Sequence, residues 1–215
     1  MIELSNVRAV YPGGEGLEFV NLTVKPGEFV YLIGPSGAGK SSVLKLIYMD
    51  LFPQSGFVKV NGYNSLTIKK RQIPYLRRKL GIIFQDFKLL TDRNVYENVA
   101  FTLYVTNTRR HEIKKRVLRV LAEVGLSHKR NRMPIELSGG EQQRVAIARA
   151  LVKEPIILLA DEITGNLDPG SEEDIIQLLE KINEKGTAIL MATHDDRLVR
   201  GQKRKIVRIK RGKTL

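Results

Sequence analysis

Three short stretches of this chain hold residue types that a reaction could use. "GPSGAGKSS", Gly34 to Ser42, fits the pattern G-x-x-x-x-G-K-[ST]. It follows the apolar run "EFVYLIG" and precedes "KSSVLKLIYMD", whose apolar residues recur at helical spacing. Glycines let backbone N–H groups turn toward phosphate oxygens, and the start of a helix adds partial positive charge. The expected phosphate contacts run through Gly34, Ser36, Gly37, Ala38, Gly39, Lys40, Ser41 and Ser42. Lys40 suits the β- and γ-phosphates of a nucleotide, and the Ser41 hydroxyl suits Mg²⁺.

The second stretch, "IILLADEITGNLD" (156–168), begins apolar and then sets Asp161 beside Glu162. A buried strand ending in two carboxylates needs positive charge next to it. Asp161 ends the apolar run and suits the Mg²⁺ side of a bound nucleotide, through a metal-bound water. Glu162 is one residue on, so its side chain points elsewhere, where it can polarise a water in line with the γ-phosphate. The third stretch, "LSGGEQQR" (137–144), contains a capping box, Ser138 with Glu141. That alone would start a helix. Yet Gly139 and Gly140 then fall in the first turn, where each costs about 1 kcal/mol relative to Ala. Bare N–H groups there suit a phosphate from another molecule. Two helix-start anion sites in one chain suggest a head-to-tail pair with two nucleotides between the copies.

The elements that must position these stretches read as an α/β fold. "IELSNVRAVY" and "LEFVNLTVK" alternate as half-buried strands around the turn "PGGEG". "FVKVNG" and "LGIIF" are short strands, residues 94–125 form two helical pieces, and "EQQRVAIARALVK" is a helix. A strand at 156–160, a helix from Ser171 and the strand "TAILMAT" follow. Strands alternating with helices predict a mostly parallel sheet, with antiparallel strands added at the start. Residues 86–144 interrupt that alternation with helical sequence and read as an inserted subdomain, leaving 1–85 and 145–215 as the nucleotide-binding core.

The 215 residues suffice for one sizeable domain, and the lack of cysteine excludes disulfides and thiolate metal sites. The start "MIELSNV" has no signal-peptide pattern, and no apolar run approaches the roughly 20 residues needed to span a bilayer. The net charge of +13 is concentrated in runs: nine bases and no acid from Arg197 onward, six in 69–79, and six against one acid in 109–119. Solvated faces are the plain reading; an anionic membrane surface, touched by Arg204, Lys205, Arg208, Lys210 and Arg211, is the sharper one. Aromatics are not interleaved with the bases, so nucleic acid is not expected as a partner.

With these motifs in this order, the chain resembles the nucleotide-binding domains of ABC (ATP-binding cassette) proteins over essentially its whole length. "GPSGAGKSS" matches the Walker A motif, "LSGGEQ" the signature, and "IILLADE" Walker B with the catalytic glutamate. "FQD" supplies the Q-loop residue Gln85, "GNLD" the D-loop residue Asp168, and "ATHD" the switch residue His194. The resemblance implies a P-loop NTPase of ABC type and an active Mg²⁺-dependent ATPase. It implies that Tyr11 stacks on adenine, and that Gln85 contacts Mg²⁺ beside a groove for an integral membrane partner. It implies that His194 meets the γ-phosphate, and that Ser138, Gly139, Gly140 and Glu141 reach the nucleotide of a second copy while Asp168 crosses the interface. A homodimer at the cytoplasmic face of the membrane follows. "LLADEITGNLD" resembles the form shared by cell-division, lipoprotein-releasing and macrolide-exporter ATPases, and "LRRKLGIIFQDFKLLTDRNVYENVAF" leans toward the cell-division branch. Soluble ABC proteins usually need fused cassettes or long coiled-coil insertions, which this chain lacks. Ile163 stands where proline is usual, which would free the backbone next to Glu162, and Asn94 stands where threonine is common, with no consequence expected.

Overall fold

Strand β3, Phe29–Ile33, shows how the sequence divides the molecule into layers. Phe29, Tyr31 and Ile33 enter one apolar cluster, whereas Val30 and Leu32 enter another on the opposite face. All five residues are buried, as expected for a strand covered on both sides. The computed structural model describes residues 1–11, 13–14, 16–200 and 203–215. In the turn expected at 12–16, Pro12 and Glu15 lie outside the described residues.

Around β3 a six-stranded sheet forms in the order β10-β9-β3-β8-β7-β6. Its members are β6 (Leu80–Ile83), β7 (Ile157–Asp161), β8 (Ala188–Thr193), β9 (Lys205–Lys210) and β10 (Lys213–Thr214). β9, β3, β8, β7 and β6 pair parallel, and β10 turns back antiparallel on β9. The basic C-terminal stretch is therefore a strand pair, and β9 is a member of the core sheet. A second, antiparallel sheet, β2-β1-β4-β5, comprises β1 (Ile2–Val10), β2 (Gly16–Val24), β4 (Ser55–Val60) and β5 (Tyr63–Asn64). It draws on residues after the phosphate loop as well as on the start of the chain.

Among the described residues six α-helices, with four short 3-10 turns, complete the fold: α1 (Lys40–Ile47), α2 (Ile73–Arg78), α3 (Val95–Val105), α4 (Arg110–Glu123), α5 (Gly139–Leu151) and α6 (Pro169–Glu184). Helix α1 shares its cluster with the antiparallel sheet, and α3 to α6 share the other. Asn94 caps α3: its Oδ1 accepts from the Glu97 N–H at 2.9 Å while Glu97 accepts from the Asn94 N–H at 3.1 Å. Asparagine serves this cap as well as threonine would. Helix α6 begins at Pro169, two residues before the expected start, because Asp168 caps it by accepting from the Ser171 N–H at 3.0 Å. Among the described residues no helix is long and apolar enough to cross a membrane.

Candidate active site

The loop from β3 to α1 builds a cradle at the carboxyl end of the parallel strands, where open α/β sheets bind ligands. Gly39, the N-cap of α1, has φ 104°, and a side chain there would also strike Leu17 Cδ2 at 2.4 Å. Only glycine meets both conditions. Helix α1 carries no acid in its first turn and no side-chain cap, so its first N–H groups stay available to an anion. Gly37, Gly39, Lys40, Ser41 and Ser42 line a pocket of about 230 Å³ together with Tyr11 and Glu162. The Tyr11 hydroxyl lies 3.1 Å from Ser42 Oγ, which brings the aromatic residue to the mouth of the cradle.

The two adjacent carboxylates separate as the strand ends. Asp161, the last residue of β7, accepts a hydrogen bond from Ser41 Oγ at 3.0 Å. Glu162 follows at φ 49°, a left-handed conformation uncommon for a residue with a Cβ, and its N–H is held by the Ala192 carbonyl at 2.9 Å. Its carboxylate meets Lys40 Nζ at 2.9 Å through one oxygen and His194 Nδ1 at 3.0 Å through the other. Lys40 is only 3% exposed and also donates to the carbonyls of Gly34 (2.7 Å) and Pro35 (3.0 Å). All three of its donors are thus engaged.

Their environments push the two acids apart. Burial raises the Asp161 carboxyl above its ordinary range, only partly opposed by the Ser41 hydrogen bond. Burial also acts to raise Glu162, but the hydrogen bond and charge of Lys40, with those of His194, outweigh it and hold the carboxyl below that range. Glu162 is thus kept ionised, as a base must be. Ile163 next to it is 2% exposed and packs into the cluster shared by α3 to α6. Burial of this side chain anchors the backbone beside Glu162, a constraint that proline would otherwise supply through its ring.

Gln85 follows β6 and lines a cleft of about 740 Å³ with Ser41, Lys45, Tyr48, Arg77, Asp86, Lys88, Asp161 and Asn166. Ser41, Asp161 and Gln85 thus offer hard oxygen donors at one edge of the phosphate cradle. Among the described residues no group of three or more His, Cys, Asp or Glu forms a metal cage. That donor set fits Mg²⁺, which keeps waters and takes phosphate oxygens instead of filling an all-protein site. The sequence reading missed Arg149. From α5 it donates to the carbonyls of Phe87 (2.7 Å) and Lys88 (2.5 Å), fixing the segment just past Gln85. Its partners are backbone atoms 61 and 62 positions away, which no local pattern reveals.

The stretch 138–141 lines neither cavity. Ser138 caps α5: Glu141 N donates to Ser138 Oγ at 3.3 Å and Ser138 N to Glu141 at 3.0 Å. Lys129 pairs with Glu141 and holds its carboxyl below the ordinary range. Gly140 has a reason within the chain, since a Cβ there would lie 2.8 Å from Ser171 Oγ at the start of α6. For Gly140 a packing reason thus stands beside the expected approach of an anion. Gly139 is different, because a Cβ there meets nothing closer than Leu167 at 3.5 Å, an ordinary contact. Asp168 is held below the usual carboxylate range by its hydrogen bonds to Ser171. Within one chain, then, Lys40, Ser41, Asp161, Glu162 and His194 converge, while Ser138, Gly139, Gly140 and Asp168 stand apart from them.

Comparison with known proteins places this geometry. A family model described as "ABC transporter" matches residues 17–165. The cell division ATP-binding protein FtsE of Bacillus subtilis is 48% identical over 213 residues, covering 99% of this chain and 93% of that protein. FtsE of Escherichia coli is 48% identical over 200 residues, 93% of this chain and 90% of its own length. Among solved structures, the dimeric post-hydrolysis state of the ATP-binding cassette MJ0796 bound to ADP and Pi has a TM-score of 0.87 and 39% identity. It is matched over 100% of this chain and 96% of that one. CbiO1 from Clostridium perfringens, part of the ABC transporter complex cbiONQ, reaches a TM-score of 0.91 at 31% identity, over 100% and 86% of the two chains.

Proposed function

The chain belongs to the ABC transporter family and is an ATPase of its FtsE-like, cell-division type, and we propose that it works as an ATP-sandwich homodimer beneath an integral membrane partner. The observation that carries the catalytic reading is the Lys40–Glu162–His194 array, with Ser41 and Asp161 hydrogen-bonded beside it. Lys40 turns from Glu162 to the β- and γ-phosphates when ATP enters the cradle. Glu162 is thereby released toward a water in line with the γ-phosphate, and His194 orients that water and hydrogen-bonds the γ-phosphate. Ser41 and Asp161, with Gln85, hold one Mg²⁺ ion, which supplies neutralisation of phosphate charge. Tyr11 stacks on the adenine. Ser138, Gly139, Gly140 and Glu141 of a second copy close over the γ-phosphate, and its Asp168 crosses the interface. Their separation from the cradle of their own chain supports that assignment, as does the dimeric state of MJ0796.

Hydrolysis then becomes motion. Residues 86–144, whose boundary with the core of 1–85 and 145–215 falls within α5, form a helical subdomain that shifts against that core with α5 as the shared element, and the cleft at Gln85 receives the membrane subunit. We take that subunit to be FtsX-like, relaying the ATP cycle to cell-wall hydrolases, with this chain peripheral at the cytoplasmic face. Tagged Glu162→Gln chain with ATP and Mg²⁺, captured from detergent-solubilised membranes, is expected to bring down an FtsX-like protein. A lipoprotein-releasing or macrolide-type permease in its place would keep the ATPase and replace the output; no membrane protein would overturn the docking reading.

A further inference from the structure

The three basic runs of this chain differ in what their charges already meet. In the C-terminal run, Lys205 Nζ donates to Thr23 O (2.7 Å) and Thr23 Oγ1 (2.8 Å), Arg204 to Asn183 (3.1 Å), and Arg208 pairs with Asp196 (2.8 Å). Three of the five bases expected to touch a membrane from there are thus engaged within the fold. On α4, Arg116 pairs with Glu112 at 2.9 Å and Arg119 with Glu154. Four other bases of the run at 109–119, Arg109, Arg110, Lys114 and Lys115, have no ion pair among the described residues, so what sets the run at 69–79 apart is its lack of any acid together with the apolar side chains among its bases. Residues 51–85 contain seven bases and no acid. Within 69–79, among the described residues, only Arg77 has an ion pair, with Asp50 at 3.1 Å.

Lys69, Lys70, Arg71 and Arg78 are exposed, and two large apolar side chains stand among them: Leu66, 67% exposed, and Tyr75, 58% exposed. Arg78 lies over the Tyr75 ring at 5.3 Å. Helix α2 buries only Leu76, so it keeps its outer side for something else. Arg77 on the same helix lines the cleft with Gln85. The patch therefore borders the groove assigned above to a membrane subunit, and the inference rests on that assignment.

We propose that the exposed face of residues 66–78 binds anionic lipid head groups. Unpaired bases meet the phosphates, while Leu66 and Tyr75 enter the interfacial layer, where an aliphatic chain and an amphipathic ring are both at home. An acidic protein would satisfy the bases but give no role to the exposed leucine. Each base that reaches such a surface changes partitioning about fivefold.

The test is co-sedimentation of the purified full chain with phosphatidylcholine vesicles, with and without phosphatidylglycerol. The parent chain is expected to follow only the anionic vesicles and to be released as salt rises. Reversing Lys69, Lys70, Arg71 and Arg78 together to Glu is expected to weaken binding about 100-fold or more, with ATPase activity retained as proof of folding. Leu66→Ser with Tyr75→Ser should weaken it without changing its salt dependence. Lys114→Glu with Lys115→Glu on α4, and Lys210→Glu with Arg211→Glu, should leave it within about threefold. A parent chain that ignores anionic vesicles overturns the proposal, as does a reversed variant that still binds, or loss of binding from the α4 pair instead. The vesicles hold no protein, so failure here leaves the membrane-partner reading to the capture experiment.

Discussion

Glu162→Gln is expected to bind ATP with parent-like affinity, to lower hydrolysis by about 10²- to 10⁴-fold, and to accumulate as a dimer. The amide keeps the shape of the carboxylate and one oxygen for Lys40, so the cradle and the left-handed turn at φ 49° remain. What disappears is the base that the Lys40 and His194 contacts hold ionised. Removing one negative charge from beside the γ-phosphate also stabilises the closed pair, since like charges at short range repel in a partly desolvated site. Phosphate release and light scattering with ATP and Mg²⁺ would read both effects. Turnover near the parent rate would mean that Glu162 is not the base.

Lys40→Ala is expected to lose nucleotide binding itself. Lys40 is 3% exposed, and its ammonium is the buried positive charge nearest the cradle. Truncating one partner of a buried, hydrogen-bonded charge pair costs about 2–5 kcal/mol, which is roughly 30- to 5000-fold in Kd. Equilibrium binding of a fluorescent ATP analogue should show at least the lower figure. In the resting chain the same change leaves Glu162 without its strongest partner, so the fall in affinity should come without a gain in stability. The two variants therefore test separate proposed roles for one ion pair, Lys40 holding the phosphates and Glu162 activating the water.

Much of this site was legible because its motifs are local. Gly34 to Ser42 specify a turn and a helix start within nine residues, and the fold adds what the motif does not show, Leu17 packed against Gly39, the Ile209 carbonyl against Gly34 and the Asp161 and Glu162 contacts of Ser41 and Lys40. The strand ending at Asp161 was plain from its apolar run. The divergence of Asp161 and Glu162 was expected from strand alternation, but its cause is the left-handed φ of Glu162, set by a backbone bond to Ala192. Helix α2 went unread because it is only six residues long, carries Pro74 in its first turn and buries only Leu76, which leaves almost no apolar period to detect. The start of α6 was misplaced although Asp168–Pro169 carried the signal of a cap followed by proline. Gly140 needed Ser171, and Arg149 needed the carbonyls of Phe87 and Lys88; such contacts exist only once helices pack. The fate of Arg204, Lys205 and Arg208 was hidden for the same reason, since charge counted along a chain does not say which charges find partners.

The proposal that each site is shared between two copies is tested most directly by mixing two inactive chains before ATP is added. Glu162→Gln keeps its 138–140 turn, and Ser138→Arg keeps its base; each alone should hydrolyse ATP hardly at all. Together they should recover activity, up to about a quarter of the parent rate, because random pairing makes half the dimers mixed and each mixed dimer holds one complete site. Parent-like hydrolysis by Ser138→Arg alone, or a mixture no more active than its two components, would contradict a site shared between two copies.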